Sequence, residues 1–130
     1  MSEFIRSLPK HYLEKKLYDI NTFYNLGEIF IDENGCHLWR KARNTRGYGM
    51  VKLSCNGESR TVSAYSLIFY LRKGILPDGN QDLSHLCHRP QCVNIEHLNI
   101  EPHQINCQRS QCRQNKHCSL HESYPTCMFF

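Results

Sequence analysis

The stretch Ser84–Asn106 reads SHLCHRPQCVNIEHLNIEPHQIN, and the rest of the chain is arranged around it. Cys87, Cys92 and His97 fall in a C-x4-C-x4-H pattern, a soft-ligand spacing suited to tetrahedral zinc. His85 stands two residues before the first of these cysteines, so a metal there would hold it in place without needing it as a ligand. Asn106 follows Glu101-Pro102 on a segment that reads as a helix. A strand, a metal-pinned loop, a second strand and a helix would bring His85 and Asn106 face to face. An imidazole opposite an amide oxygen can hold a water and a hard cation on one phosphate.

Working outward, three ligands are one short of a closed structural zinc site. Cys36 or His37 is the candidate for the fourth, with nearby His88 as the other option. Downstream, Cys112, Cys118, His121 and Cys127 form a second complete set, C-x5-C-x2-H-x5-C, in which His117 could replace His121. The sequence has eight cysteines and no apolar signal-peptide core in MSEFIRSLPKHYLEKK. The expectation is therefore an intracellular chain, nuclear or cytoplasmic and not secreted, whose cysteines serve metal rather than disulfides. Cys55 reads as a free thiol and Cys107 as a buried thiol on the Asn106 helix. No apolar run is long enough to span a membrane.

At 130 residues the chain is expected to form one zinc-stabilised domain. Its parts are an N-terminal helix and strand (1–35), a ribbon and helix (36–81), a finger (82–111) and a second zinc loop (112–130). A helix is expected over residues 7–24, with Ser7 as cap and Pro9 in its first turn. Asn34-Gly35 and Asn56-Gly57 mark two hairpin turns. Ser63 is the expected cap of a helix running to about Lys73 and ended by Gly74. Pro102 begins a helix expected to end near Ser110.

The formal charge is +4, and two zinc ions held by six thiolates would lower it to +2. The basic character is local. Arg40, Lys41, Arg43, Arg46, Lys52 and Arg60 stand against the single acid Glu58 in residues 36–60, a concentration that suits a phosphate backbone. A two-stranded ribbon fits the DNA major groove. Neutral imidazole can take a proton from water, so His85 is a candidate general base. Asn106 is a candidate oxygen ligand for magnesium, and Arg60 could neutralise the phosphate.

These same residues, SHLCH followed by C-V-N, H-L and the downstream asparagine, resemble the core of the His-Me finger (HNH superfamily) endonucleases. The likeness is to the homing-type branch with structural zinc-binding loops. The resemblance spans about Gly35 to Cys127. It implies an α+β fold with a ββα-metal core, an N-terminal helix, an antiparallel β-ribbon and two structural zinc sites. It implies His85 as general base, Asn106 as the single magnesium ligand and Arg60 as the contact to the cleaved phosphate. It assigns one zinc to Cys36, Cys87, Cys92 and His97, and the other to Cys112, Cys118, His121 and Cys127. The implied activity is magnesium-dependent cleavage of double-stranded DNA by a homodimer. A non-catalytic, zinc-stabilised DNA-binding module is the competing expectation. In the family, dimers lean on C-terminal segments; here Met128-Phe129-Phe130 follows Cys127 as an apolar end that could dock on a partner.

Overall fold

The computed structural model describes residues 2–129. Among them are four α-helices and three two-stranded antiparallel sheets. The first departure from the sequence reading comes at once. In place of one helix over 7–24 there are two, α1 (Ser2–Arg6) and α2 (Lys10–Asn25). Pro9 is extended (φ −62°, ψ 150°) and takes the cap position of α2 itself. Proline cannot donate to the turn before it, so the helix restarts there. The Ser7 hydroxyl donates to the Phe4 carbonyl at 2.7 Å and closes α1 rather than capping α2. The division lets α1 bury Ile5 with Leu8, Leu53, Val62, Leu67 and Leu76 in the first apolar cluster.

Strands β1 (Ile29–Ile31) and β2 (His37–Trp39) form the first hairpin. Its turn is built by Asp32, whose Oδ1 accepts from the backbone N–H groups of Asn34 and Cys36, both at 2.9 Å. Gly35 supplies the left-handed residue at φ 80°. The loop that carries Cys36 is thereby fixed before any metal is considered. Trp39 is fully buried with Ile20, Ile29, Ala64, Ile68 and Val93. Gly49 passes so close that a Cβ there would lie 2.6 Å from the Trp39 ring.

Strands β3 (Met50–Cys55) and β4 (Glu58–Ser63) form the ribbon, joined by Asn56 (φ 53°) and Gly57 (φ 78°), the paired left-handed residues of a tight hairpin turn. The register sets Leu53 opposite Arg60 and Lys52 opposite Thr61. Directly opposed residues share a face. Arg60 therefore lies on the Leu53 face, and Lys52 lies on the other.

Helix α3 (Ala64–Lys73) ends at Gly74 in the left-handed region (φ 73°), as its sequence suggests. Ser63 precedes it but makes no capping bond; its hydroxyl donates to Ser66 Oγ at 2.7 Å instead. Ala64, Leu67, Ile68 and Phe69 are buried, while Leu71 is only partly so.

The quoted stretch folds as β5 (Gln81–His85), a loop, a 3-10 turn (Ile95–His97), β6 (Leu98–Pro102) and α4 (His103–Asn115). β5 pairs with β6, and α4 packs against both. α4 runs five residues beyond the expected end at Ser110, stopping where Lys116 turns left-handed (φ 55°). That extra turn brings Cys112 onto the helix and carries Arg113 with it. No helix among the described residues is long and apolar enough to cross a membrane.

Candidate metal centres and active site

Two groups of four donors converge: Cys36, Cys87, Cys92 and His97, and Cys112, Cys118, His121 and Cys127. Within each, the ligand atoms lie within 4.8 Å of one another. Their edges fit zinc closely. With Zn–S near 2.3 Å and Zn–N near 2.0–2.1 Å, a tetrahedron has N···S edges of about 3.6 Å. His97 Nδ1 lies 3.6 Å from both Cys36 Sγ and Cys92 Sγ. His121 Nε2 lies 3.6 Å from Cys112 Sγ and 3.5 Å from Cys127 Sγ. Burial pushes the Cys36 thiol up to about 11, and hydrogen bonding to Cys92 raises Cys87 as well. Cys92 moves the other way, held down to about 5 by hydrogen bonding from Cys87, so one thiolate is favoured and all three ionise together only around a cation. The structure thus offers two four-donor Cys/His sites suited to structural zinc.

The alternative ligands stand elsewhere. His37 Nδ1 is bonded to the Tyr24 hydroxyl at 2.6 Å, and neither His88 nor the exposed His117 belongs to a cluster. Cys55 is partly buried against the first apolar cluster. Cys107 is exposed, not buried, because it sits on the solvent side of α4, with its Sγ 3.3 Å from His103 Nε2. Met128 N donates to the Leu86 carbonyl at 2.8 Å and its side chain packs on Cys36, Cys87 and Cys92. Phe129 lies edge-on to His97. Phe129 nonetheless stays 47% exposed, and Phe130 lies outside the described residues.

A feature with no signature in the sequence joins the two halves of the site. Arg109 and Glu101 form a buried two-point ion pair, Nε–Oε2 at 2.5 Å and Nη2–Oε1 at 2.8 Å, with side chains 2% and 0% exposed. Arg109 Nη2 also donates to the Pro125 carbonyl at 2.7 Å, and Nη1 approaches Cys127 Sγ at 3.4 Å. Burial works to raise the Glu101 carboxyl, but hydrogen bonds from Arg109 and Asn99 outweigh it and hold it below the usual range. One guanidinium therefore ties β6 and α4 to the second zinc loop. Arg109→Ala leaves a buried charge alone and is expected to cost about 3–5 kcal/mol. The paired replacement Arg109→Met with Glu101→Leu is expected to cost less, and urea unfolding of both variants is the check.

His85 and Asn106 line one cleft, with Tyr48, Tyr65 and Arg113 among its other walls. The His85 ring is outside both donor clusters. Its Nε2 lies 2.9 Å from the Cys92 carbonyl oxygen. A carbonyl only accepts, so Nε2 carries the proton and Nδ1 is left as the basic nitrogen. Tyr65 packs edge-on against the ring at a centroid distance of 4.4 Å, and Tyr48 is 5.8 Å away. Burial lowers the imidazole to about 4, against a smaller opposing effect of the Cys92 carbonyl. The ring is therefore neutral near pH 7.

Asn106 is held on two sides. Its Nδ2 donates to Asp82 Oδ2 at 3.0 Å, and its Oδ1 accepts from Ser84 Oγ at 2.9 Å. A carboxylate cannot donate, so the amide cannot be reversed, and one lone pair of Oδ1 stays open. Asp82 Oδ2 also meets His103 Nδ1 at 2.6 Å. Asp82 and Ser84 alternate with His85 along β5; the motif SH hides this support because a serine before a histidine carries no signal of its own.

Arg60 is not brought to this cleft. It pairs with Glu58 (Nε–Oε2 3.1 Å) and lines a separate groove with Glu3, Phe4 and Ser7. The ribbon register explains this, since it turns Arg60 toward α1. Arg40 lies over the Phe30 ring at 4.5 Å, and Lys41 over Phe23 at 4.5 Å. Arg43, Arg46 and Lys52 are exposed.

The chain is a small mixed fold of antiparallel hairpins and helices that carries two four-donor Cys/His sites of zinc type. Residues 35–128 match the family model described as the zinc-binding loop region of homing endonuclease, and the chain belongs to that family. It is also similar to Protein 2.8 of Escherichia phage T7, with 32% identity over 75 residues, covering 58% of this chain and 48% of that protein. The chain thus spans about half the length of this curated relative. No solved structure matches it.

Proposed function

We propose that the chain is a magnesium-dependent endonuclease that cuts double-stranded DNA, with the β5–β6–α4 unit as the ββα-metal core of a His-Me finger. One observation carries the reading: His85, tautomer set by the Cys92 carbonyl, faces the same cleft as an orientationally locked Asn106. Nδ1 of His85 takes a proton from the water that attacks phosphorus in line with the 3′-oxygen. The products are a 5′-phosphate and a 3′-hydroxyl. Asn106 fits magnesium through the open lone pair of Oδ1, and such an ion takes few protein ligands. When bound, magnesium stabilises the charge gathering on the phosphate and the departing oxygen. Tyr65 and the Cys92 carbonyl keep the imidazole from rotating out of line.

Arg40, Lys41, Arg43, Arg46 and Lys52 are assigned to the duplex backbone outside the cleft. One cleft serves one strand, so cutting both strands calls for a homodimer. The test is the conversion of supercoiled plasmid to nicked and linear forms. It is expected with magnesium and expected to stop when magnesium is omitted, while the circular dichroism spectrum stays unchanged. Binding of DNA without nicking at any magnesium concentration would identify the chain as a binding module instead.

A further inference from the structure

If the cleft is where a strand is cut, it needs a cation against the phosphate, and Arg60 is turned elsewhere. Helix α4 provides one. Asn106, Arg109, Ser110 and Arg113 all line the cleft, and their spacing of three, four and seven residues puts them on one helical face. The two arginines differ in kind. Arg109 is buried and fully engaged by Glu101 and Pro125. Arg113 is exposed and forms no ion pair among the described residues. No Asp or Glu lines the cleft. Its wall therefore presents one uncompensated guanidinium, two turns along the helix from Asn106.

We propose that Arg113 binds the scissile or adjoining phosphate in this cleft, a role that rests on the nuclease reading above and that the ribbon's Arg60 does not fill. Guanidinium suits the task because its planar fork matches two phosphate oxygens at once. The neighbouring residue explains how so exposed a side chain is held in place. Cys112, one position earlier, is a donor of the second cluster and fixes the last turn of α4. Arg109 fastens the same turn to the loop at Pro125. The second zinc site would then do more than close the tail: it sets the position of a phosphate-binding side chain.

The experiment compares the parent with Arg113→Ala and Arg113→Lys on a duplex oligonucleotide. Single-turnover cleavage is read with magnesium, and equilibrium binding is read without it over a range of salt. Arg113→Ala is expected to cleave about 10²-fold more slowly, and Arg113→Lys to recover part of the loss. The slope of log binding constant against log salt is expected to fall by about one for Arg113→Ala. Zinc content and melting temperature should match the parent; if Arg113→Ala loses either, Arg113→Gln takes its place under the same criteria. Cleavage and salt slope both indistinguishable from the parent would overturn the proposal. If the parent itself does not cleave, the nuclease reading fails, and the slope alone decides: a fall supports a phosphate contact by Arg113, and no change overturns it.

Discussion

Stripping the two Cys/His centres with a strong zinc chelator such as phenanthroline is expected to unfold the protein, with loss of far-ultraviolet ellipticity and of the cooperative melt. Structural zinc contributes about 10–16 kcal/mol of apparent binding free energy in small peptides, whereas a domain of this size has a net stability of about 5–15 kcal/mol. Removing the metal therefore outweighs what remains. The centres also replace apolar packing. The core around the first consists of Cys36, Cys87 and Cys92 with Leu38 and Met128, and without the metal those thiols are buried polar groups with poor partners. Cys36→Ser should reproduce the effect at one centre. A chelated protein that kept its spectrum and melting temperature would show that the donors are incidental.

His85→Ala is expected to reduce plasmid cleavage by about 10²–10⁴-fold, with zinc content, melting temperature and DNA affinity close to those of the parent. The ring lies outside both donor sets, so its loss should leave the metal centres intact. That separation of activity from fold distinguishes a base from a structural histidine. A variant that cut at the parental rate would remove His85 from the mechanism. One that lost its zinc would show that the ring serves the frame instead.

The sequence made the metal sites legible because cysteine and histidine at loop spacing carry few other meanings. It also made the turns legible, since Asn56-Gly57 and Gly74 occupy backbone conformations that few residues tolerate. Other features were hidden. Pro9 suits a first helical turn, but the same chemistry lets it interrupt a helix, and only the burial of Ile5 decides between the two. Arg60 followed a turn on a basic ribbon, but which face it occupies depends on a pairing register that composition does not encode. Glu101 and Arg109 are eight positions apart and meet only because a strand folds onto a helix. Arg113 is hidden for a simpler reason: nothing in the sequence marks Asn115 as the end of α4, and only with that last turn does helical spacing set Arg113 on the Asn106 face.

Cys92 takes part in two structures at once. Its sulfur belongs to the first donor set, and its carbonyl oxygen holds the His85 ring. A newly made polypeptide that has not yet acquired its first ion lacks the anchor for that carbonyl, and so lacks an oriented base. On the nuclease reading, competence to cut DNA would arrive only with metal loading, and a cell short of the ion would carry an inert precursor.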